Sequence, residues 1–263
     1  MATTTLFSEE RRTRILELVH ERKKLTVHEL CTILGVSAAT VRADLRDLDR
    51  EGLLVRTHGG AIARSRAGFE LTSRKRSTVN LAAKQAIAKA AAELVEDGDT
   101  IVLDTGTTTV ELAKRLASLR RLSVVTNDLQ IAGLLEDVPG VEIVLLGGAL
   151  RKGYHCTVGP GGLRMTGHLR VDTAFMATNS LSPDAGATTP DLHQAEIKKA
   201  MISIARKVIL LCDSSKIGGE SFARFADLDQ IDVLVAEQVG DEARAVFEEQ
   251  GIEVVVAGGG TSG

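Results

Sequence analysis

The sequence predicts an α/β protein in two parts: a small helical head closed by a β-hairpin, and a larger body built on a mainly parallel sheet. Three observations carry this expectation. Residues 26–62 read as two short helices joined by a tight turn and followed by a hairpin. From Leu81 onward, short apolar runs alternate with helical segments. Charge also divides between the parts: residues 1–76 hold 15 Lys and Arg against 10 Asp and Glu, net +5, whereas 77–263 hold 17 against 25, net −8. A basic head on an acidic body is the asymmetry expected of a nucleic-acid reader with a separate control domain.

The head is read in order. Ser8 with Glu9 and Glu10 starts a first helix by cap and macrodipole. Ile15, Leu18 and Val19 face inward, and Arg11, Arg12 and Arg14 lie outside, within reach of phosphates or merely solvated. Thr26 caps the next helix, and Glu29 completes a capping box. Leu30, Ile33 and Leu34 form its apolar stripe, and Gly35 ends it in a left-handed cap. Ser37 caps a third helix whose Val41, Leu45 and Leu48 share one face at i, i+4 and i+7. Arg42, Arg46 and Arg50 form a separate stripe, and Gly52 closes the helix. Leu53–Arg56 reads as a strand, His58-Gly59-Gly60 as a turn, and Ala61-Ile62 as the return strand. This is a winged helix-turn-helix, whose third helix can lie in a major groove. The DNA-contact candidates are Ser37, Ala38, Ala39 and Thr40 at that helix's start, Arg42 and Arg46 along it, and Arg56 and His58 in the wing. The competing reading of the same residues is a three-helix bundle with a solvated charged face.

Domain boundaries follow from pattern. Residues 1–62 form the head, 63–80 a polar basic linker, 81–257 the α/β body, and 258–263 a flexible tail. In the body, Ala82–Val95 is an alanine-rich helix. Strands are expected at 100–103, 123–125, 141–146, 173–176 (a shorter one), 208–211, 233–235 and 253–256, with helices at 110–116, 129–136 and 195–205. Wholly apolar strands separated by helices imply a mainly parallel sheet covered on both faces. In such sheets ligands sit beyond the carboxyl ends of the strands. The turns expected there are Asp104-Thr105-Gly106-Thr107-Thr108-Thr109, Thr126-Asn127-Asp128, Gly147-Gly148 with Arg151 and Lys152, and Asp213-Ser214-Ser215-Lys216. Small hydroxyl residues, glycines and a few cations suit a small anionic metabolite, best a phosphate. Singly, each turn is better explained as a helix cap or a tight turn; four on the same side of one sheet point to a ligand site.

Composition narrows the function classes. With no Trp and one Tyr, stacking on single-stranded nucleic acid is disfavoured. Cys31, Cys156 and Cys212 show neither metal spacing nor a disulfide framework, which fits a reducing cytoplasm. No apolar run is long enough to span a bilayer, and no signal segment opens the chain. No cofactor or metal site is expected.

The segments Leu34–Leu45 and Glu51–Ala61, with Thr-Val-Arg-Ala-Asp-Leu and Arg-Thr-His-Gly-Gly-Ala inside them, resemble the DeoR family of bacterial transcriptional regulators. The resemblance extends through Asp104-Thr-Gly-Thr-Thr, Thr126-Asn-Asp, Leu146-Gly-Gly, Ala195-Glu-Ile-Lys-Lys-Ala-Met and Asp213-Ser-Ser-Lys, from about Ser8 to Val235. Two departures stand out: Arg42-Ala43 replaces the family's usual adjacent arginines, and Gln194 stands where an acidic residue is common. The resemblance implies a C-terminal sensor domain similar in fold to ribose-5-phosphate isomerase, with a phosphorylated sugar as effector. Carried over by motif, its candidates are Asp104, Gly106, Thr107, Thr108, Thr126, Asn127, Gly147, Gly148, Arg151, Lys198 and Lys216. Gly106–Thr108 would cradle the phosphate, Asp104 would take sugar hydroxyls, and Lys216 would add charge from the opposite wall.

The expected function is therefore a cytoplasmic DNA-binding regulator, a repressor of a carbohydrate-metabolism operon released by a phosphorylated sugar. The alternative is a sugar-phosphate isomerase-like enzyme fused to a DNA-binding module. Isomerisation needs a positioned acid/base, and Phe175-Met176-Ala177-Thr178-Asn179-Ser180 supplies no carboxylate where isomerases of the similar fold carry an acidic cluster. The partners expected are double-stranded operator DNA, the phosphorylated sugar and further copies of the chain. One reading head makes few base contacts, so a homo-oligomer, dimer or tetramer, held by the C-terminal domain is expected.

Overall fold

The structure is a computed structural model that describes residues 7–22, 24–50, 53–63 and 70–258. Contacts divide the chain into two compact units, Met1–Leu71 and Thr72–Gly263. The expected loose N-terminal end, the closing Gly52, the basic stretch at 64–69 and the tail after 258 lie outside the described residues.

The first unit runs α1 (Ser8–Arg22), β1 (Lys24–Thr26), α2 (Val27–Leu34), α3 (Ala38–Arg50), β2 (Leu54–Thr57) and β3 (Gly60–Ala63). The capping box forms: the Glu29 N–H donates to the Thr26 hydroxyl at 3.2 Å, and the Thr26 N–H donates to the Glu29 carboxylate at 2.7 Å. The Thr26 hydroxyl also donates to that carboxylate at 2.7 Å, and this bond together with the one from the Thr26 N–H holds the Glu29 carboxyl below its usual range. Gly35 takes the left-handed cap at φ 65°, and the Thr40 N–H donates to Ser37 Oγ. Ile15, Leu18, Val19, Leu30, Leu34, Val41, Leu45 and Leu48 close on one another as a single small core.

Two features of this unit differ from expectation. The hairpin is a three-stranded sheet of order β1-β3-β2, because Lys24–Thr26 pairs antiparallel with β3. That pairing explains Gly60, since a Cβ there would lie 2.0 Å from the Leu25 carbonyl oxygen. The arginines of α1 also turn inward. Arg11 Nε donates to Asp44 at 2.6 Å and Arg12 Nε donates to it at 3.3 Å. A second Arg12 nitrogen pairs with Asp47. Asp44 is only 2% exposed, so a buried carboxylate on α3 draws its counter-charges from α1.

The second unit runs α4 (Ser73–Arg76), α5 (Leu81–Ala92), β4 (Thr100–Leu103), α6 (Thr107–Leu116), β5 (Leu122–Thr126), α7 (Leu129–Leu135), β6 (Val141–Leu145), β7 (Ala149–Arg151), β8 (Cys156–Val158), α8 (Pro160–Thr166), β9 (Val171–Ala177), β10 (Ser180–Ser182), β11 (Gly186–Thr189), α9 (Leu192–Ser203), β12 (Ala205–Leu211), β13 (Ala223–Ala226), β14 (Val233–Ala236), α10 (Asp241–Glu249) and β15 (Glu253–Val256). Seven strands form a parallel sheet of order β15-β14-β12-β9-β4-β5-β6. Alternate residues feed two cores. Val102, Ala174, Met176 and Leu210 face α9, whereas Ile101, Leu103, Phe175 and Ile209 face α5 and α6. The strand expected to be shorter, β9, has seven residues, lies mid-sheet and is buried along nearly its whole length. The β7–β8 hairpin, the antiparallel β10-β11-β13 sheet and helices α8 and α10 carry too few apolar residues to announce themselves.

The expected linker at 63–80 ends earlier. Residues 72–80 belong to the second unit. The Ser73 N–H donates to the Gly153 carbonyl at 2.9 Å, and the Ser73 hydroxyl donates to the Tyr154 carbonyl at 3.0 Å.

Two outcomes are expected. Asp44→Ala should destabilise the first unit by about 3–5 kcal/mol in chemical denaturation, because Arg11 and Arg12 would both lose the buried carboxylate they share; a loss under about 1 kcal/mol would contradict the pairing. Cys156 and Cys212 are both fully buried, and burial pushes their thiols up to about 11 and about 12. A thiol reagent at pH 8 should therefore modify at most Cys31 in the native protein and all three cysteines after denaturation.

Candidate functional site

In the first unit the DNA-contact candidates lie on one helix and its wing. Arg42 and Arg46 are exposed on α3, opposite the buried Val41, Leu45 and Leu48. Ser37 and Ala39 are exposed, and Ala38 and Thr40 are half-buried at the start of the helix, where the Ser37 and Thr40 hydroxyls lie 2.9 Å apart. Arg56 and His58 are exposed on β2 and its turn. The Arg56 N–H donates to Asp49, which ties the wing to α3. Arg50, third in the stripe, pairs with Asp47. Arg42 and Arg46 therefore remain as exposed arginines of α3, whereas Arg11 and Arg12 are engaged by Asp44.

In the second unit the sheet order reverses at β4. From β4 the chain runs to β5 and β6 on one side, and β9, β12, β14 and β15 lie on the other. A topological switch point of this kind opens a crevice beyond the strand ends. A narrow cleft lies there, lined from the β4 end by Thr105, Gly106, Thr107 and Thr108, from the β9 end by Ala177, Thr178 and Asn179, and from around by Arg76, Gln194, Lys198 and Lys216. Gly106 is required by space: a Cβ would lie 2.7 Å from that of Ala177. It also leaves α6 without a side-chain cap, so the first-turn N–H groups and helix dipole point at whatever occupies the cleft. Three of the lining residues are cationic and none is acidic.

Of the sequence candidates, the structure gathers Gly106, Thr107, Thr108, Lys198 and Lys216 here. Asp104 lies beneath the cleft and does not line it. It is 0% exposed, pairs with the Lys198 ammonium and accepts the Ala177 N–H at 3.0 Å. Lys198 also donates to the Ala177 carbonyl at 2.9 Å. Burial pushes the Asp104 carboxyl above its usual range, against the pull of Lys198. A carboxyl so enclosed positions the cleft wall; it is not placed to take sugar hydroxyls as expected. Lys216 pairs with Asp213 at 3.1 Å. Burial opposes ionisation of Asp213, but Lys216 and the Ser215 hydroxyl hold its carboxyl well below the usual range.

Five candidates are placed elsewhere, and their local roles explain them. Thr126 is buried, and its hydroxyl donates to the Leu103 carbonyl. Asn127 is buried and donates to the Thr157 carbonyl at 2.9 Å. The turn that holds both is a helix cap, with Asp128 accepting the Gln130 and Ile131 N–H groups. Gly147 donates its N–H toward Met165 Sδ. Gly148 has φ 152° and admits the Val158 carbonyl at 2.3 Å from where a Cβ would stand, so it permits the hairpin. Arg151 stacks 3.7 Å over the Tyr154 ring, pairs with Asp191 at 3.3 Å and donates to Gln194, itself a residue of the cleft lining.

The residues not anticipated are Arg76, Asn179 and Gln194. Asn179 and Gln194 are joined by the Thr189 hydroxyl, 3.0 Å from Asn179 Oδ1 and 3.4 Å from Gln194 Oε1. The available signals were departures from the family pattern, Gln194 in place of an acidic residue and a polar turn at Ala177-Thr178-Asn179-Ser180. Arg76 carried none, because a basic residue in a polar stretch reads as solvated. Among the described residues no cluster of metal-ligating side chains occurs, and no helix is long and apolar enough to cross a membrane.

Comparison with known proteins is consistent across both units. Residues 11–67 match the DeoR-like helix-turn-helix domain, and residues 79–238 match the DeoR C terminal sensor domain. The HTH-type transcriptional regulator GlpR of Haloferax volcanii is 37% identical over 94% of this chain and 96% of its own. The HTH-type transcriptional repressor GlcR of Bacillus subtilis is 33% identical over 95% and 97%. Among solved structures, ribose 5-phosphate isomerase A of Methanocaldococcus jannaschii is similar at TM-score 0.39 and 20% identity, over 52% of this chain and 55% of that one.

The Asp104–Lys198 pair gives a direct test. Lys198→Met should cost about 3–5 kcal/mol of stability by leaving the Asp104 carboxyl without its cation, and the double variant Asp104→Leu/Lys198→Met should recover most of that loss. Additive losses in denaturant titrations would contradict the coupling.

Proposed function

The chain belongs to the DeoR family of transcriptional regulators, and on that premise we propose that it is a repressor whose operator affinity is set by a phosphorylated sugar bound in the second unit. The observation that carries the ligand half is the switch-point cleft, where an uncapped helix N-terminus meets three cations and no carboxylate. Phosphate suits this arrangement because its oxygens accept from several N–H groups at once and complement the dipole. Thr107 and Thr108 add hydroxyls, and Asn179 and Gln194 supply amide groups suited to sugar hydroxyls. The DNA half rests on Arg42 and Arg46, which stand out from a helix whose opposite face is core.

The same cleft speaks against turnover. Proton transfer beside a carbonyl needs a positioned base; the lining residues include no carboxylate or imidazole, and the lysines among them, Lys198 and Lys216, are each paired with a buried carboxylate. We read the site as one that binds and releases, and the protein as a homo-oligomeric cytoplasmic regulator rather than an isomerase. Control requires that the ligand bind one DNA-affinity state better than the other.

Two measurements test the reading. In a thermal-shift screen of hexose and pentose monophosphates and their unphosphorylated parents, at least one phosphorylated member should raise Tm while its parent does not; no shift with any member overturns the ligand half. On a duplex selected from random sequence by the wild-type protein, Arg46→Ala should weaken binding at least tenfold with an unchanged melt, corresponding to the loss of about 1–3 kcal/mol expected for a base-contacting arginine. Binding within twofold of wild type would remove Arg46 from the interface.

A further inference from the structure

Gln194 stands in the first turn of α9 and is only 3% exposed, yet it lines the cleft. Its backbone is fixed by the helix cap, where its N–H donates to Asp191 at 2.8 Å. Its amide is fixed by Arg151, which pairs with the same Asp191 and donates through Nη1 to Gln194 Oε1 at 3.3 Å. A guanidinium only donates, so the amide atom it meets is the oxygen, and the NH2 group is turned the other way. The Thr189 hydroxyl lies 3.4 Å from the same oxygen. On the NH2 side the contact among the described residues is the Cys156 sulfur at 4.0 Å, a weak acceptor in a thiol that burial keeps protonated. With Oε1 taken up by Arg151 and Thr189, the end of the amide left to an occupant of the cleft is Nε2, a strong donor. Acceptors around the cleft are already engaged. The Ala177 carbonyl receives Lys198, and the Thr178 hydroxyl donates to the Ser180 carbonyl at 2.6 Å and accepts the Ser180 N–H. The Asp104 carboxyl lies beneath the lining with no exposure.

We propose that Gln194 sets the oxidation level of the ligand: its Nε2 donates to an oxygen that accepts without donating, the carboxylate or carbonyl oxygen of an oxidised phosphorylated sugar, and disfavours the hydroxyl of the reduced one. The assignment rests on the ligand reading above and narrows it, because of the two amides offered there to the sugar's oxygens Gln194 is fixed as a donor. A hydroxyl set against Nε2 can accept from it, but it brings a proton of its own that needs a further acceptor, and a buried donor left unmade is costly. A carboxylate or carbonyl brings no such proton. Between these two, the cationic lining without an acid favours the carboxylate.

The test uses matched pairs on the full-length protein. Aldonate phosphates and ketose phosphates of the pentose and hexose series are titrated by calorimetry, each against the alditol phosphate of the same carbon skeleton. The wild type should bind at least one oxidised member about tenfold tighter than its alditol partner, the scale set by one buried hydrogen-bonding group left unmade. Gln194→Glu puts an acceptor where Nε2 stands. It should weaken the oxidised member about tenfold and bind the alditol about fivefold tighter than the wild type does, a reversal that general damage to the cleft would not produce. Gln194→Met removes the donor without adding charge and should cut the wild-type preference about fivefold. Equal binding of oxidised and reduced members by the wild type overturns the proposal and leaves the phosphorylated-sugar reading standing, as does a Gln194→Glu variant that weakens both members by the same factor. If Gln194→Glu melts early, Gln194→Met decides: a reduced preference supports the assignment, and an unchanged one overturns it. Failure of the wild type to bind any phosphorylated member removes both readings.

Discussion

A carboxyl group with no exposure, Asp104, sits at the end of the central strand β4 and is held there by Lys198 of α9. The cleft depends on this pair. Lys198 also grips the Ala177 carbonyl, and Asp104 grips the Ala177 N–H, so the ends of β4 and β9 and the first half of α9 are tied at one point. Placing a charge pair where the sheet order reverses is costly unless its hydrogen bonds are made. Here Asp104 Oδ2 is bonded by Lys198 and by the Ala177 N–H while Oδ1 has no hydrogen-bond partner among the described residues, and parting the crevice walls would break the bonds that are made. Gly106, pressed against Ala177, completes the arrangement by letting α6 begin at the cleft with its N–H groups uncovered.

The first unit repeats the device on a smaller scale. Asp44 lies on the core side of α3, and Arg11 and Arg12 reach it from α1. The orientation of α3 is thereby set by a polar pair as well as by Val41, Leu45 and Leu48, and its opposite face is left to Arg42 and Arg46. A buried polar contact has directional requirements that an apolar core lacks, which suits a helix whose arginines must meet an external partner in a defined register.

Much of the fold was legible in the sequence because its signals are local. The capping box at Thr26 and Glu29, the glycine at 35, the cap at Ser37 and the apolar strands of the sheet all act within a few residues. The differences from expectation share a cause. Polar turns at strand ends serve both ligands and helix caps, and Thr126 and Asn127 stand outside the cleft lining in the turn capped by Asp128, bonded to the Leu103 and Thr157 carbonyls. Arg11 and Arg12 looked like surface charges because Asp44, their partner, is more than thirty residues away. The boundary after Leu71 was hidden because Ser73 finds its hydrogen bonds on a hairpin eighty residues downstream.

The sequence by itself determined that there is a basic reading head with three helices and a wing, that an alternating α/β body follows, and that Gly106–Thr108 opens a helix at a strand end. These rest on composition, periodicity and capping, which are properties of neighbouring residues. Only the tertiary structure decided which of the polar turns share a cleft, that Asp104 supports the wall from below, and that Arg76 enters the site. Those outcomes depend on strand order and on pairings between distant residues, and a sheet of seven parallel strands brings together loops whose separation along the chain carries no trace of their proximity.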